Sequence, residues 1–248
     1  MKKTAFLVLF FSISVFATTI NIAVAANVSY AIDDLKAKFK QTHPNIDVQT
    51  TLGSSGKLTT QIKNGAPYGL FISANTKYPQ TLYDEKIAIT KPVIYAQGAL
   101  AFFSIKKYNL NNGITLLTNK NIQRIAIANP KTAPYGKAAF KAIKNAKILD
   151  KIKQKLIYAE SISQTLSYTI TATDIGIVAK SSLYSSKMKN YKRGINWIEV
   201  DTKLYTPIEQ AMVLLKYSNN SKEYKAFYDF ILSDEAKIIF KKYGYITQ

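Results

Sequence analysis

The chain has 248 residues, no cysteine, one histidine and a formal charge of +19. Disulfides and cysteine nucleophiles are excluded outright, and a histidine-based triad, a zinc site and a histidine general base lose their usual parts. Arg124 and Arg193 are the only two arginines among 34 basic residues, and the lysines scatter over nearly every predicted helix. That argues for a solvated surface and against a nucleic-acid interface, while still raising the encounter rate of small anions.

Met1 to Ala17 read as a secretory signal peptide: Lys2 and Lys3 precede an apolar run from Ala5 to Phe16 that ends on Val15-Phe16-Ala17. The run is shorter than the roughly 20 residues that span a bilayer, and Ser12 and Ser14 interrupt it. The mature chain is expected to start near Thr18 and to be exported. Without cysteine it has neither a lipid-anchor residue nor a disulfide, so its core alone must hold it together. Roughly 230 residues remain, enough for one large core or two lobes.

In the mature chain, apolar strand-like runs alternate with helical patterns, which predicts α/β layers on mixed, mainly parallel sheets. Ile20 to Ala25 is the first strand, followed by a helix with Ile32, Leu35 and Phe39 on one face and Asp33 and Asp34 in its first turn. His43-Pro44-Asn45 stops that helix. Ile46 to Thr51, the turn Gly53-Ser54-Ser55-Gly56, a short helix closed by Gly65, and the strand Tyr68 to Ser73 come next. After a brief helix from Pro79 to Tyr83, the apolar run Val93 to Ser104 is too long for an ordinary strand and suits a crossing from one lobe into another.

The strand-turn-helix unit then recurs. Arg124 to Ala128 leads through Ala133-Pro134-Tyr135-Gly136 into a helix, and Leu156 to Ala159 leads into a helix carrying Ile162, Leu166 and Ile170. Asp174-Ile175-Gly176-Ile177-Val178 reads as a buried strand, with further strands from Ile195 to Val200 and Ile208 to Lys216. A single last helix is expected from about Lys222 to Tyr243, burying Phe227, Ile231 and Ile239.

Four turns thus enter helices, at Asn27 to Ser29, Gly53 to Gly56, Pro134 to Gly136 and Ser161 to Ser163. A helix N-terminus leaves backbone N–H groups unpaired and carries roughly half a positive charge, so each turn is a candidate for receiving an anion. Each also has an ordinary capping explanation. The Gly53-Ser54-Ser55-Gly56-Lys57 turn lacks the spacing of a nucleotide-binding loop and of the Gly-x-Ser-x-Gly nucleophile elbow. His43 lies beside a proline in a loop, where a structural role suits it. The 17 tyrosines and 12 phenylalanines fall mostly on faces that the core needs, which argues against a sugar-stacking cleft.

Several segments carry a resemblance: Val24-Ala25-Ala26-Asn27, Gly53-Ser54-Ser55-Gly56, Gln61 to Tyr68 with Phe71-Ile72-Ser73-Ala74, Ile127 to Gly136, and the ending Lys241-Lys242-Tyr243-Gly244-Tyr245. Together they resemble the periplasmic molybdate-binding proteins of ABC importers, in order over essentially the whole mature chain. The resemblance implies a type II periplasmic binding protein with two lobes, residues 18–98 plus 205–248 and residues 99–204, closing a cleft on the ligand. It implies a monomer that catalyses nothing, needs no cofactor, coordinates no metal ion directly, and carries molybdate or tungstate as the oxyanion to a membrane permease.

The resemblance also implies site residues. Asn27 donates through its amide or backbone N–H where many members have serine, with Ala26 as a secondary neighbour. Ser55 donates through hydroxyl and N–H, with Ser54 as the lesser register. Tyr135 and Ile162 donate through their backbones. Ala179 stands where many members carry a tyrosine whose hydroxyl completes the site, and that contact is expected to be lost. Asn27, Ala179 and the Ala-Pro-Tyr-Gly segment together resemble one branch of the family. The alternatives are a receptor for sulfate, phosphate or a phosphorylated or carboxylated metabolite, with Lys57 or Arg124 turned into the cleft, and a secreted serine hydrolase using Ser55, for which no general base is supplied.

Overall fold

A computed structural model of the chain describes residues 17–247. The expected signal peptide lies outside the described residues except for Ala17. Two five-stranded mixed sheets form the framework. The first has the order β2-β1-β3-β10-β4, from β1 (Thr18–Ala25), β2 (Ile46–Gly53), β3 (Leu70–Ile72), β4 (Val93–Gly98) and β10 (Ile208–Leu214). The second has the order β7-β6-β8-β5-β9, from β5 (Leu100–Phe103), β6 (Ile125–Ala128), β7 (Leu156–Ala159), β8 (Ile175–Ala179) and β9 (Trp197–Glu199). Each sheet, with its helices, is one lobe.

In the first sheet β1 pairs in parallel with β2 and β3, while β10 runs antiparallel to β3 and β4. The second repeats the scheme, with β6 parallel to β7 and β8, and β5 antiparallel to β8 and β9. The antiparallel members are the segments on which the chain passes between lobes. The expected crossing run Val93 to Ser104 breaks at Ala99 into β4 and β5, one in each sheet.

The helices α1 (Ile32–Thr42), α2 (Ser55–Lys63) and α3 (Lys77–Asp84) cover the first sheet, joined by α7 (Lys222–Ile231) and α8 (Asp234–Lys242) from the chain's end. The second carries α4 (Pro134–Asn145), the single turn α5 (Leu149–Ile152) and α6 (Ile162–Thr171). Helices on both faces explain why β6, Ile-Ala-Ile-Ala, is buried at every position. Separate apolar cores form under the sheets: Ile22, Val24, Phe39 and Phe227 belong to the first, and Leu100, Phe102, Ile127 and Ile175 to the second.

The expected last helix is two. Ser233 interrupts it, its hydroxyl accepting from the Ala236 N–H at 3.3 Å as the N-cap of α8, with Asp234 and Glu235 in the first turn. The strands expected over Ile195 to Val200 and Ile208 to Lys216 are trimmed to β9 and β10. His43 ends α1, its ring stacked on Phe39 at 4.3 Å, a packing role.

Candidate functional site

The parallel pairing aligns the four turns. Ala25 of β1 stands beside Gly53 of β2, and Ala128 of β6 beside Ala159 of β7, so in each lobe two strands end level and release their chains at the same sheet edge. Carboxyl ends of parallel strands are where α/β sheets receive ligands. From β1 the chain enters a 3-10 turn, Ala26–Tyr30, ahead of α1. From β2, β6 and β7 it enters α2, α4 and α6.

These ends meet across the lobes around one small cavity of about 10 Å³, whose lining includes Ala26, Asn27, Ser54, Ser55, Tyr135 and Ile162. All six residues singled out from the sequence are therefore brought together, three junctions as helix N-termini and one as the 3-10 turn. Asn27, Ser55 and Tyr135 are at most 1% exposed. None of the cavity's lining residues is charged.

The local sequence leaves donors free at each junction. Ser55, Tyr135 and Ile162 lie in the first turns of their helices, where no carbonyl four residues back can accept their N–H. Pro134 occupies the first turn of α4, where a missing N–H costs nothing. Ser161 caps α6 by accepting from the Gln164 N–H at 3.3 Å, which leaves the Ile162 N–H unclaimed by that cap. The Ser55 hydroxyl accepts from the Ala74 N–H at 3.0 Å, so its proton remains to be donated. The Ser54 hydroxyl is buried with no partner. The register assigned to Ser55 thus has a second buried hydroxyl beside it.

The Asn27 side chain is committed elsewhere. Its Nδ2 donates to Gln210 Oε1 at 2.7 Å and to the Tyr245 hydroxyl at 2.9 Å, leaving Oδ1 buried and unpaired. Gln210 also accepts from the Tyr95 hydroxyl at 2.8 Å and donates to the Tyr135 hydroxyl at 3.0 Å. Burial pushes the Tyr95 and Tyr135 hydroxyls well above the usual phenol range and Tyr245 up to about 12, so all three stay protonated. Ala179 ends β8, its carbonyl taken by the Ser182 hydroxyl, and it is not among the cavity's lining residues. Tyr245 reaches the neighbourhood of the site from the chain's end.

Other contacts hold the lobes together over the cavity. The Gly56 N–H of the first lobe donates to the Thr132 carbonyl of the second at 2.9 Å. A Cβ at Gly56 would come within 2.8 Å of that carbonyl, so the approach needs glycine. Lys57 pairs with Glu160 at 2.5 Å across the same gap, and the Ser181 hydroxyl donates to the Asn27 carbonyl at 3.1 Å. Arg124 donates to the Ala172 carbonyl at 3.2 Å, and neither Lys57 nor Arg124 lines the cavity.

Residues 20–246 match the family described as bacterial extracellular solute-binding protein. The chain is 34% identical to the molybdate-binding protein ModA of Rhodobacter capsulatus over 229 residues, covering 91% of this chain and 87% of that protein. Its identity to ModA of Azotobacter vinelandii is 31% over 234 residues, 94% of this chain and 91% of that one. The solved Azotobacter vinelandii periplasmic molybdate-binding protein superposes with a TM-score of 0.83 at 29% identity, covering 92% of this chain and 99% of that chain. The chain belongs to the bacterial extracellular solute-binding proteins, and it is a binding protein, not an enzyme.

Proposed function

We propose that the chain is the periplasmic receptor that captures molybdate or tungstate and delivers it to an ABC-type importer. The ion is held by the Ser55, Tyr135 and Ile162 N–H groups, the Ser54 and Ser55 hydroxyls, and Asn27. The observation that carries this reading is the uncharged cavity at the meeting of helix N-termini. A tetrahedral dianion offers only acceptors at neutral pH, so a cage of donors without a carboxylate receives it. Charge-assisted bonds of this kind contribute about 1.5–3 kcal/mol each, enough for tight binding from several after the cost of ordering the lobes.

Size argues against the metabolite alternative. Pockets for organic ligands run to roughly 300–1,000 Å³, whereas this cavity has about 10 Å³ and takes neither Lys57 nor Arg124. The proposed lobes are residues 18–98 with 205–248, and residues 99–204. The protein works as a monomer, and its likeness to the two molybdate-binding proteins supports the choice of ion.

Calorimetric titration with molybdate, tungstate, sulfate and phosphate tests the reading. Molybdate and tungstate are expected to bind far more tightly than sulfate, which has the same charge but is too small to reach every donor. Binding of sulfate or phosphate alone would overturn it.

A further inference from the structure

The buried polar side chains next to the cavity form one chain across the lobes, from Asn27 through Gln210 to Tyr135. Gln210 is the only buried polar residue of β10, and it is fully buried. In the arrangement described above, each amide has a direction. Asn27 presents Nδ2 to Gln210 and Tyr245, and Gln210 presents Nε2 to Tyr135. Two groups are left over: Asn27 Oδ1 has no partner, and the Tyr135 hydroxyl accepts but donates to no described group. For an oxyanion this direction is wrong, because the only spare side-chain atom of Asn27 is an acceptor and would repel it.

Turning both amides over exchanges nitrogen and oxygen at nearly fixed positions, pairs the Tyr135 proton and replaces the unpaired Asn27 acceptor by a donor. The Tyr135 hydroxyl then donates to Gln210 Oε1, and Gln210 Nε2 donates to Asn27 Oδ1 and to the Tyr95 hydroxyl. Tyr95 keeps an acceptor in the Ser73 carbonyl, 3.0 Å away. Tyr245 directs its proton to Asn27 Oδ1, while the Ser181 hydroxyl keeps the Asn27 carbonyl bonded at 3.1 Å. Within this network every other side-chain group is then paired, and Asn27 Nδ2 is its one spare donor.

We propose that Gln210 and the Tyr135 hydroxyl are positioning residues, which hold the Asn27 amide with Nδ2 directed at a bound oxyanion. The proposal rests on the anion-receptor reading. Unpaired polar groups are costly in a buried network, so the ion and the turned amides stabilise each other. Tyr135 belongs to the second lobe and Gln210 to the first, so the relay is complete only when the lobes are closed. Gly98, on the crossing strand, leaves the space: a Cβ there would overlap the Tyr135 hydroxyl and come within 2.5 Å of Gln210 Nε2.

The test is side-chain amide NMR on the molybdate-loaded protein, with calorimetry on two variants. Nuclear Overhauser contacts from the Gln210 amide protons to the Tyr95 ring are expected; contacts to the Tyr135 ring in their place overturn the relay. Tyr135→Phe, which keeps the backbone donor, and Gln210→Met are each expected to weaken molybdate binding about three- to thirtyfold. Unchanged affinity in both overturns the relay while the receptor reading stands. Wild-type protein that takes up no molybdate overturns the receptor reading and the relay with it.

Discussion

Ser55 and Ile162 separate the two kinds of donor at the site. In the proposed site Ser55 would offer a hydroxyl proton that the Ala74 N–H leaves free, whereas Ile162, its side chain buried, would offer only its backbone. Ser55→Ala is therefore expected to weaken molybdate binding about tenfold to a hundredfold, and Ile162→Val by less than about threefold, both read by calorimetry. The reverse order would mean that the donors are misassigned. The positions of these residues were legible in the sequence because turn and helix-start chemistry is local. Gln210 and Ser181 reach Asn27, and Tyr95 reaches Gln210, from strands and turns distant in sequence, which no local motif marks. One signal was present for Gln210: a lone uncharged polar residue in the apolar run Ile208–Leu214. Tyr245 lies in the closing Lys241 to Tyr245 motif, and its contact with Asn27 comes from packing that no spacing rule encodes.

At the scale of elements, closure depends on how near α2 comes to the loop before α4. Gly56 opens that approach, and Gly56→Val would push a side chain into the Thr132 carbonyl and the Tyr78 hydroxyl. Molybdate affinity is expected to fall by at least about tenfold with little change in the anion-free melting temperature, because the backbone clash with Thr132 exists only between lobes and the Tyr78 hydroxyl, in the same lobe, is the movable end of a side chain. An equal loss of melting temperature in the anion-free protein would show that the residue serves folding. Alternating strands and helices, and the passage between lobes along Val93 to Phe103, were readable from apolar run lengths. The break between α7 and α8 is masked in the sequence because the apolar period continues through it, although Ser233-Asp234-Glu235 is a helix start in its own right. The antiparallel placement of β5 and β10 follows from topology, which periodicity does not report.

At the scale of the whole molecule, two charge effects follow. Lys77, Lys131 and Lys137 line a groove of about 780 Å³ spanning both lobes beside Ala133 and Pro134, which also line the small cavity. Replacing all three by glutamine is expected to slow molybdate association about three- to tenfold at low salt, with the difference shrinking as salt is added, in stopped-flow measurements. The buried tyrosines set the alkaline limit. Tyr245 holds its proton up to about 12 when folded, against about 10 when unfolded, so the folded state binds more protons between those values. Stability is thus full below about pH 10 and falls as pH rises toward 12, by roughly 2–3 kcal/mol for this group. Tyr245→Phe should flatten that part of a denaturation-against-pH curve.

The central claim is that uncharged donors from both lobes enclose the ion, and crystals grown with molybdate and measured at the molybdenum absorption edge test it most directly. The account predicts one anomalous peak in the cavity between Asn27, Ser55, Tyr135 and Ile162, its oxygens about 2.7–3.2 Å from the Ser55, Tyr135 and Ile162 N–H groups. A peak outside that cavity, or an ion held by a lysine or arginine side chain, would contradict it.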